Sequence, residues 1–409
     1  MKTKIVMNSD LTKLHPYPFE KLSTLLSGVF PPKKLSHISL SIGEPKHPSP
    51  SFVAKKITSS MDKLSMYPST KGTLEFRESV SGWLKSRFSL KHMDPESQVL
   101  PVNGTREALF AFSQATIDRT NNPLILMPNP FYQIYEGAAL LSGAKIHFLS
   151  CNKENDFLTD FSSVSDKTWD SCQLIYICSP GNPSGAVLDI STLQKLIKLA
   201  DKHNFVIASD ECYSEIYYNE NKPPVGLLEA CAVMQRHDYQ RCIVFHSLSK
   251  RSNLPGLRAG FVAGDAGILE SFLQYRTYQG CAMPLITQLA SIAAWGDEVH
   301  VKENRKKYRQ KFEIFQQILG DILPLNIPDG GFYLWVNILS ANIGDDETFS
   351  KELFSQQNVT VLPGSYLGRI SDNSNPGRGY IRMALVAPVE ECRQAAERIK
   401  KFITSYDSS

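Results

Sequence analysis

The feature that most narrows the possible folds is a set of short apolar runs with no polar residue interleaved. They are Leu-Ile-Leu-Met at 124–127, Leu-Ile-Tyr-Ile-Cys at 174–178, Phe-Val-Ile-Ala at 205–208, Cys-Ile-Val-Phe at 242–245 and Phe-Val-Ala at 261–263. A strand with one wet face alternates apolar with polar side chains. A strand without that alternation is covered on both faces, as in a parallel sheet enclosed by helices. Between two of the runs, Leu193, Leu196, Ile197 and Ala200 recur at helical spacing. Strand, helix and strand follow one another, which predicts a doubly wound α/β domain with a mostly parallel sheet sandwiched by helices. Ligands of such sheets bind beyond the carboxyl ends of the strands, so chemistry is expected in the residues that directly follow each run.

The pattern changes near Trp295. Residues 298–322 are highly charged but place Tyr308, Phe312, Phe315, Leu319 and Ile322 at alternating spacings of four and three, which predicts a long helix with one buried stripe. Beyond it, 330–336, 358–363 and 380–385 read as strands of a smaller α+β domain, and the first forty or so residues as an irregular, Pro-rich arm. At roughly 150 residues per domain, 409 residues give two or three domains.

Several functions are excluded by what the chain lacks. Forty-four Lys and Arg against 41 Asp and Glu leave a charge of +3, too little to suggest a nucleic-acid partner. No stretch nears the ~18 apolar residues of a membrane span, and polar Asn8, Ser9 and Asp10 follow the basic start where a signal peptide needs its apolar segment. The cytoplasm is the expected location, with translation starting at Met1 or Met7. The eight cysteines form no C-x-x-C pair and read as reduced thiols. None of the nine histidines pairs at helical metal-site spacing, so no metal is expected. The nearest approach to a dinucleotide fingerprint, at 377–382, ends in Arg382, and neither a phosphate-binding G-x-x-x-x-G-K-[ST] nor a G-x-S-x-G serine elbow occurs.

The strongest motif directly follows a strand: Phe-His-Ser-Leu-Ser-Lys-Arg-Ser-Asn-Leu-Pro-Gly-Leu-Arg-Ala-Gly at 245–260. A lysine there, partly desolvated among cations, has a lowered pKa and can form a Schiff base. Ser247, Ser249 and Arg258 would surround an anion, for which the Arg fork suits phosphate oxygens. A Lys-Arg pair alone is an ordinary basic loop, but Ser-x-Ser-Lys with Arg258 eight residues on is a longer pattern in the right place. Asp210, at the end of another apolar run, is a carboxylate that needs a cation, a pyridinium nitrogen being one candidate and a helix N-cap the plain alternative. Asn182, in Ser-Pro-Gly-Asn-Pro-Ser-Gly at 179–185, sits in what by itself is only a turn, yet its amide could hydrogen-bond a phenolate oxygen. Gly104 opens a helix whose free N–H groups favour an anion.

Lys250 with its flanks, Asp210-x-x-Tyr213, Asn182-Pro-x-Gly185 and Gly104-Thr-Arg together resemble the pyridoxal-phosphate aminotransferases of fold type I, class I/II. The resemblance runs from about Pro16 to Ile403. It implies an arm and part of the small domain at 1–45, a large cofactor-binding domain at 46–295, and the rest of the small domain at 296–409. It also implies a homodimer with shared active sites, acting on small amino acids and 2-oxo acids. Lys250 would carry the cofactor and, once freed, serve as base for the 1,3-proton shift. Asp210 would keep the pyridine nitrogen protonated, with Asn182 and Tyr213 on the phenolic oxygen. Gly104, Thr105, Arg106, Ser247, Ser249 and Arg258 would bind the phosphate. Tyr132, or else Phe131, would stack on the ring. Arg382 and the backbone of Gly43 would hold the substrate α-carboxylate, and Tyr67 would reach the phosphate of the partner subunit.

Less general segments, among them 16–22, 41–47, 101–110, 128–137 and 275–283, are similar to the succinyldiaminopimelate aminotransferases of bacterial lysine and cell-wall synthesis. That implies transfer from N-succinyl-LL-2,6-diaminopimelate to 2-oxoglutarate. Such substrates carry a distal carboxylate, for which Arg276 is the candidate contact, with Lys46 and Arg106 behind it. Acetylornithine or aromatic specificity and C–S β-lysis share the same cofactor residues. A non-catalytic effector module is disfavoured because every chemical position is filled.

Overall fold

The computed structural model describes residues 7–406. The segment before Met7, on which the reading of the basic start partly rests, and the last three residues lie outside the described residues. In chain order the strands are β1 (Ile38–Ser39), β2 (Val99–Val102), β3 (Leu124–Asn129), β4 (Lys145–Ser150), β5 (Cys172–Cys178), β6 (Val206–Asp210), β7 (Cys242–Ser247), β8 (Gly260–Gly264), β9 (Tyr333–Asn337), β10 (Val359–Thr360), β11 (Leu362–Pro363) and β12 (Tyr380–Ala384).

Seven of them form one sheet in the order β2-β8-β7-β6-β5-β3-β4. The pairs β3–β4, β3–β5, β5–β6 and β6–β7 are parallel. Successive side chains of a strand go to opposite faces, and both faces are apolar here. Val244 joins a core with Leu193, Leu196 and Ile197 on one side, while Ile243 and Phe245 join Leu109, Phe112 and Phe272 on the other. The helix Ile190–His203 buries the four residues that the spacing predicts, and Asp189 caps it by accepting the Thr192 N–H at 2.7 Å.

One strand departs from the parallel expectation. β8 lies antiparallel to both β7 and β2. Between β7 and β8 the chain makes only the short helix Leu248–Arg251 and the 3-10 turn Pro255–Leu257, so it doubles back beside β7 instead of crossing over. Burial on both faces is the same for either direction, which is why the apolar run could not reveal it.

The second core is built from both ends of the chain. Ile38 and Leu40 pack with Phe312, Phe315, Leu319, Val336, Phe349, Met383, Ile399 and Phe402. Around it β11, β12 and β9 form an antiparallel sheet, and β1 pairs in parallel with β10. The helix Val299–Leu319 buries the predicted stripe as far as Leu319, with Ile322 just past its end. The arm is more regular than expected: Pro18–Leu25 is helical, started by Pro18 in its first turn and by Glu20 Oε2 accepting the Tyr17 N–H at 3.2 Å. Its Leu22 packs against Trp335, Leu362 and Tyr366. All eight cysteines are free thiols. Among the described residues no helix is long and apolar enough to cross a membrane.

Candidate active site

β5 and β6 end level, Cys178 lying opposite Asp210, and β7 runs two residues further, Asp210 lying opposite Phe245. The loops that follow therefore bring Asn182, Asp210 and Lys250 to one cavity of about 520 Å³, a size suited to a small cofactor and its substrate.

At one end, Thr105, Arg106, Ser247, Ser249 and Arg258 line the wall. Thr105 begins the helix Thr105–Thr116, whose free N–H groups favour an anion. Ser247 Oγ donates to Ser249 Oγ at 2.9 Å. Arg258 takes a left-handed backbone (φ 51°), its Nη1 donating to the Pro255 carbonyl at 2.8 Å. Gly104 has φ 86°, and a Cβ there would lie 2.1 Å from Arg258 Nη2. The turn thus needs glycine both for its backbone and for the close approach of that guanidinium.

In the middle, Asp210 is fully buried. Its carboxylate receives the Tyr135 hydroxyl at 2.7 Å and the Cys212 N–H at 3.2 Å, and neither donor is a cation. Burial accordingly raises its pKa, against those hydrogen bonds. Tyr132 also lines the cavity, its hydroxyl accepting Arg106 Nε at 2.8 Å, whereas the alternative Phe131 is buried in the core. Tyr213 Oη lies 2.9 Å from Tyr333 Oη, and burial holds the Tyr213 phenol protonated.

At the other end is Arg382. Arg382 donates through Nη1 to Asn182 Oδ1 at 3.0 Å and through Nη2 to the Ser41 carbonyl at 2.7 Å, while its buried Nε has no partner among the described residues. Its guanidinium lies 4.4 Å over the Tyr333 ring. Because Oδ1 of Asn182 faces Arg382, the amide nitrogen remains to donate elsewhere. Lys250 Nζ donates to the Gly43 carbonyl and stands 5.4 Å from the Phe332 ring centre. Its pKa falls to about 8, first through burial, with Arg382 and Arg106 pushing the same way and Cys212 and Glu44 opposing. A Cβ on Gly43 would lie 2.0 Å from Tyr333 Oη.

These residues fit pyridoxal phosphate. The Gly104–Thr105 helix start with Arg258 would hold its phosphate, and the uncompensated Asp210 carboxylate would meet its protonated ring nitrogen. Asn182 and Tyr213 would face its phenolic oxygen, and Lys250 offers a near-neutral amine.

Three expected residues lie elsewhere. Tyr67 is wholly exposed on the single chain, away from this cavity. Arg276 is buried, and its Nη1 donates to both carboxylate oxygens of Glu107 at 2.9 Å, its Nη2 to the Cys281 carbonyl at 2.9 Å. With its Nη atoms occupied and its place outside this cavity, Arg276 is not brought to the site in the single chain. Glu107 in turn accepts the Asn103 N–H at 2.8 Å, so Arg276 braces the turn that presents Gly104. Lys46 lies 3.7 Å from Glu391 instead of in the cavity wall. Sequence reasoning missed Tyr135, Tyr333, Glu44 and Tyr17, which bind Asp210 or line the cavity. Tyr135 follows Tyr132 by one helical turn and Glu44 follows Gly43, so their neighbours could have signalled both.

A family model described as aminotransferase class I and II matches residues 36–399. An LL-diaminopimelate aminotransferase of Maridesulfovibrio salexigens is 30% identical over 96% of this chain and 98% of its own length. A crystal structure of an aminotransferase from Neisseria meningitidis superposes with a TM-score of 0.92 at 47% identity, covering 96% of this chain and 99% of that one. A probable N-succinyldiaminopimelate aminotransferase from Thermus thermophilus gives a TM-score of 0.82 at 25% identity, covering 94% of this chain and all of that one.

Proposed function

The chain belongs to the class I and II aminotransferases, a pyridoxal-phosphate-dependent family, and on that footing we propose that it moves an amino group from a 2,6-diaminopimelate skeleton to 2-oxoglutarate. The donor in this reading is N-succinyl-LL-2,6-diaminopimelate and the products are N-succinyl-2-amino-6-oxopimelate and glutamate, in the cytoplasm, on the route to diaminopimelate and lysine. The observation that carries the amino-acid chemistry is Arg382, whose buried Nε has no hydrogen-bond partner among the described residues, in a cavity shared with a lysine of lowered pKa.

Bound pyridoxal phosphate supplies an electron sink for the charge left when the substrate carbon loses its proton. The chain does the rest. Arg382 grips the α-carboxylate with a planar fork, which fixes the plane in which the Cα–H bond breaks. Lys250 Nζ would take that proton and hold it for return, a task suited to an amine whose pKa lies near 8. Asp210, buried with Tyr135, would keep a proton on the cofactor's ring nitrogen, because its own charge needs a cation.

The succinylated donor is supported by the segments at 16–22, 41–47 and 128–137 and by the name of the Thermus thermophilus protein. A second reading, unmodified LL-diaminopimelate, is favoured by the Maridesulfovibrio salexigens relative and by Glu44, a carboxylate at the cavity wall that suits a distal ammonium. The exposure of Tyr67 supports a homodimer in which it reaches the partner subunit's cofactor phosphate. The test is kcat/KM for both donors beside acetylornithine, phenylalanine and cystathionine. The succinylated donor should lead; a lead for the free diamino acid selects the second reading, and pyruvate release from cystathionine would indicate β-lysis instead.

A further inference from the structure

A buried chain of polar side chains, none of which touches substrate in the reading above, ends on the backbone of Lys250. Asn304, on the helix Val299–Leu319, donates through Nδ2 to the carbonyls of Lys250 (3.4 Å) and Arg251 (3.3 Å). Those carbonyls can only accept, so the amide nitrogen must face them and Oδ1 must face the other way. There Oδ1 accepts Asn253 Nδ2 and His47 Nδ1, both at 2.9 Å. That fixes the His47 tautomer: Nδ1 carries the proton, and Nε2 is left to accept from Lys311 Nζ at 2.7 Å. Lys311 Nζ also donates to the Leu385 carbonyl at 3.0 Å, just beyond the strand that carries Arg382.

All four groups are enclosed. Asn253, Asn304, His47 and Lys311 are each buried, and the His47 ring lies 5.0 Å from that of Tyr308. Burial, aided by Lys311, holds His47 neutral with a pKa of about 4, so both ring nitrogens keep these roles at neutral pH. Lys311 is itself lowered to about 8 by burial, with Lys307 adding to that shift and Cys392 and Glu391 opposing it. Every hydrogen bond from Lys311 to the Lys250 carbonyl points the same way, which strengthens each in turn.

We propose that His47 and Asn304 are positioning residues that set the place of Lys250 and tie it, through Lys311, to the strand bearing Arg382. Lys250 Nζ reaches back to the Gly43 carbonyl, four residues before His47, so this chain and the Lys250 side chain brace one segment from both sides. The distance between the amine and the carboxylate fork thereby becomes a property of a single network. The proposal rests on Lys250 as the reacting amine, and the experiment separates the two claims.

His47→Phe keeps the ring volume and removes the donor to Asn304; His47→Asn restores an amide N–H near the position of Nδ1. The protein loaded with pyridoxal phosphate is titrated with acid and base without substrate, and its visible absorbance is followed. His47→Phe should move the midpoint by about half a pH unit or more and lower kcat by ~10-fold or more, with KM for the amino donor kept within about threefold. His47→Asn should recover most of both. A wild-type midpoint and kcat in His47→Phe would overturn the proposal. So would equal damage in both variants accompanied only by a lower Tm, since that marks a structural role. If His47→Phe does not fold, Lys311→Met tests the same chain from its other end with the same expected and overturning results. A Lys250→Ala protein that kept the titrating band would instead refute the assignment of Lys250.

Discussion

Replacing Lys250 by Met in the cofactor-free protein should make the chain more stable near neutral pH. The amine sits in the cavity wall with its pKa reduced from 10.5 to about 8, chiefly by burial. Below pH 8 both folded and unfolded chains hold the proton, and the folded one carries the full penalty of a poorly solvated charge. Between pH 8 and 10.5 the unfolded chain retains a proton that the folded chain has released, so stability rises with pH and the penalty fades. Integrated from about pH 7 to about pH 10, the shift corresponds to about 2–3 kcal/mol. Met has nearly the same length, so packing terms cancel when the two proteins are compared at both pH values. Urea unfolding of wild type and Lys250→Met at those two pH values, at equal protein concentration, gives the double difference. The advantage of Lys250→Met should be larger at the lower pH by that amount. A pH-independent difference would mean that the amine keeps its ordinary pKa, and the argument for a near-neutral Lys250 would fail.

Three further outcomes follow from the geometry. Arg382→Lys should lower kcat/KM by ~10²-fold or more while leaving cofactor content unchanged, because a point charge cannot replace a planar fork; unaltered kinetics would remove the carboxylate role. Gly104→Ala should weaken retention of pyridoxal phosphate on dialysis, since the new Cβ must displace Arg258 and occupy φ 86°; retention equal to wild type would contradict the phosphate cradle. Arg276→Met should lower stability by about 2–3 kcal/mol, leaving Glu107 without its partner, yet preserve the ranking of amino donors; a changed ranking would return Arg276 to the substrate.

Much of this was legible in the sequence because the same physical constraint acts locally and globally. Runs such as Cys242 to Phe245 are apolar throughout because both sheet faces are covered, and Lys250 follows one of them directly. The structure accordingly brings Asp210, Asn182 and Lys250, at or just beyond strand ends, to one cavity. Direction was not legible: β8 runs antiparallel, and nothing in Phe261 to Ala263 distinguishes it from its parallel neighbours. The place of Arg276 was hidden for a related reason. Its side chain could have pointed to the cavity or to Glu107, and only the fold brings position 107 beside 276. Long-range pairs such as His47 with Lys311, or Tyr213 with Tyr333, leave no local pattern at all.

The most direct test of the account follows the nitrogen itself. The protein loaded with pyridoxal phosphate is given N-succinyl-LL-2,6-diaminopimelate labelled with ¹⁵N at its free amino group, together with 2-oxoglutarate, and the products are read by mass spectrometry. The account predicts ¹⁵N-glutamate in step with the 6-oxo product, and no transfer by Lys250→Ala. Release of the label as ammonia, or no turnover of a diaminopimelate-derived donor at all, would contradict it.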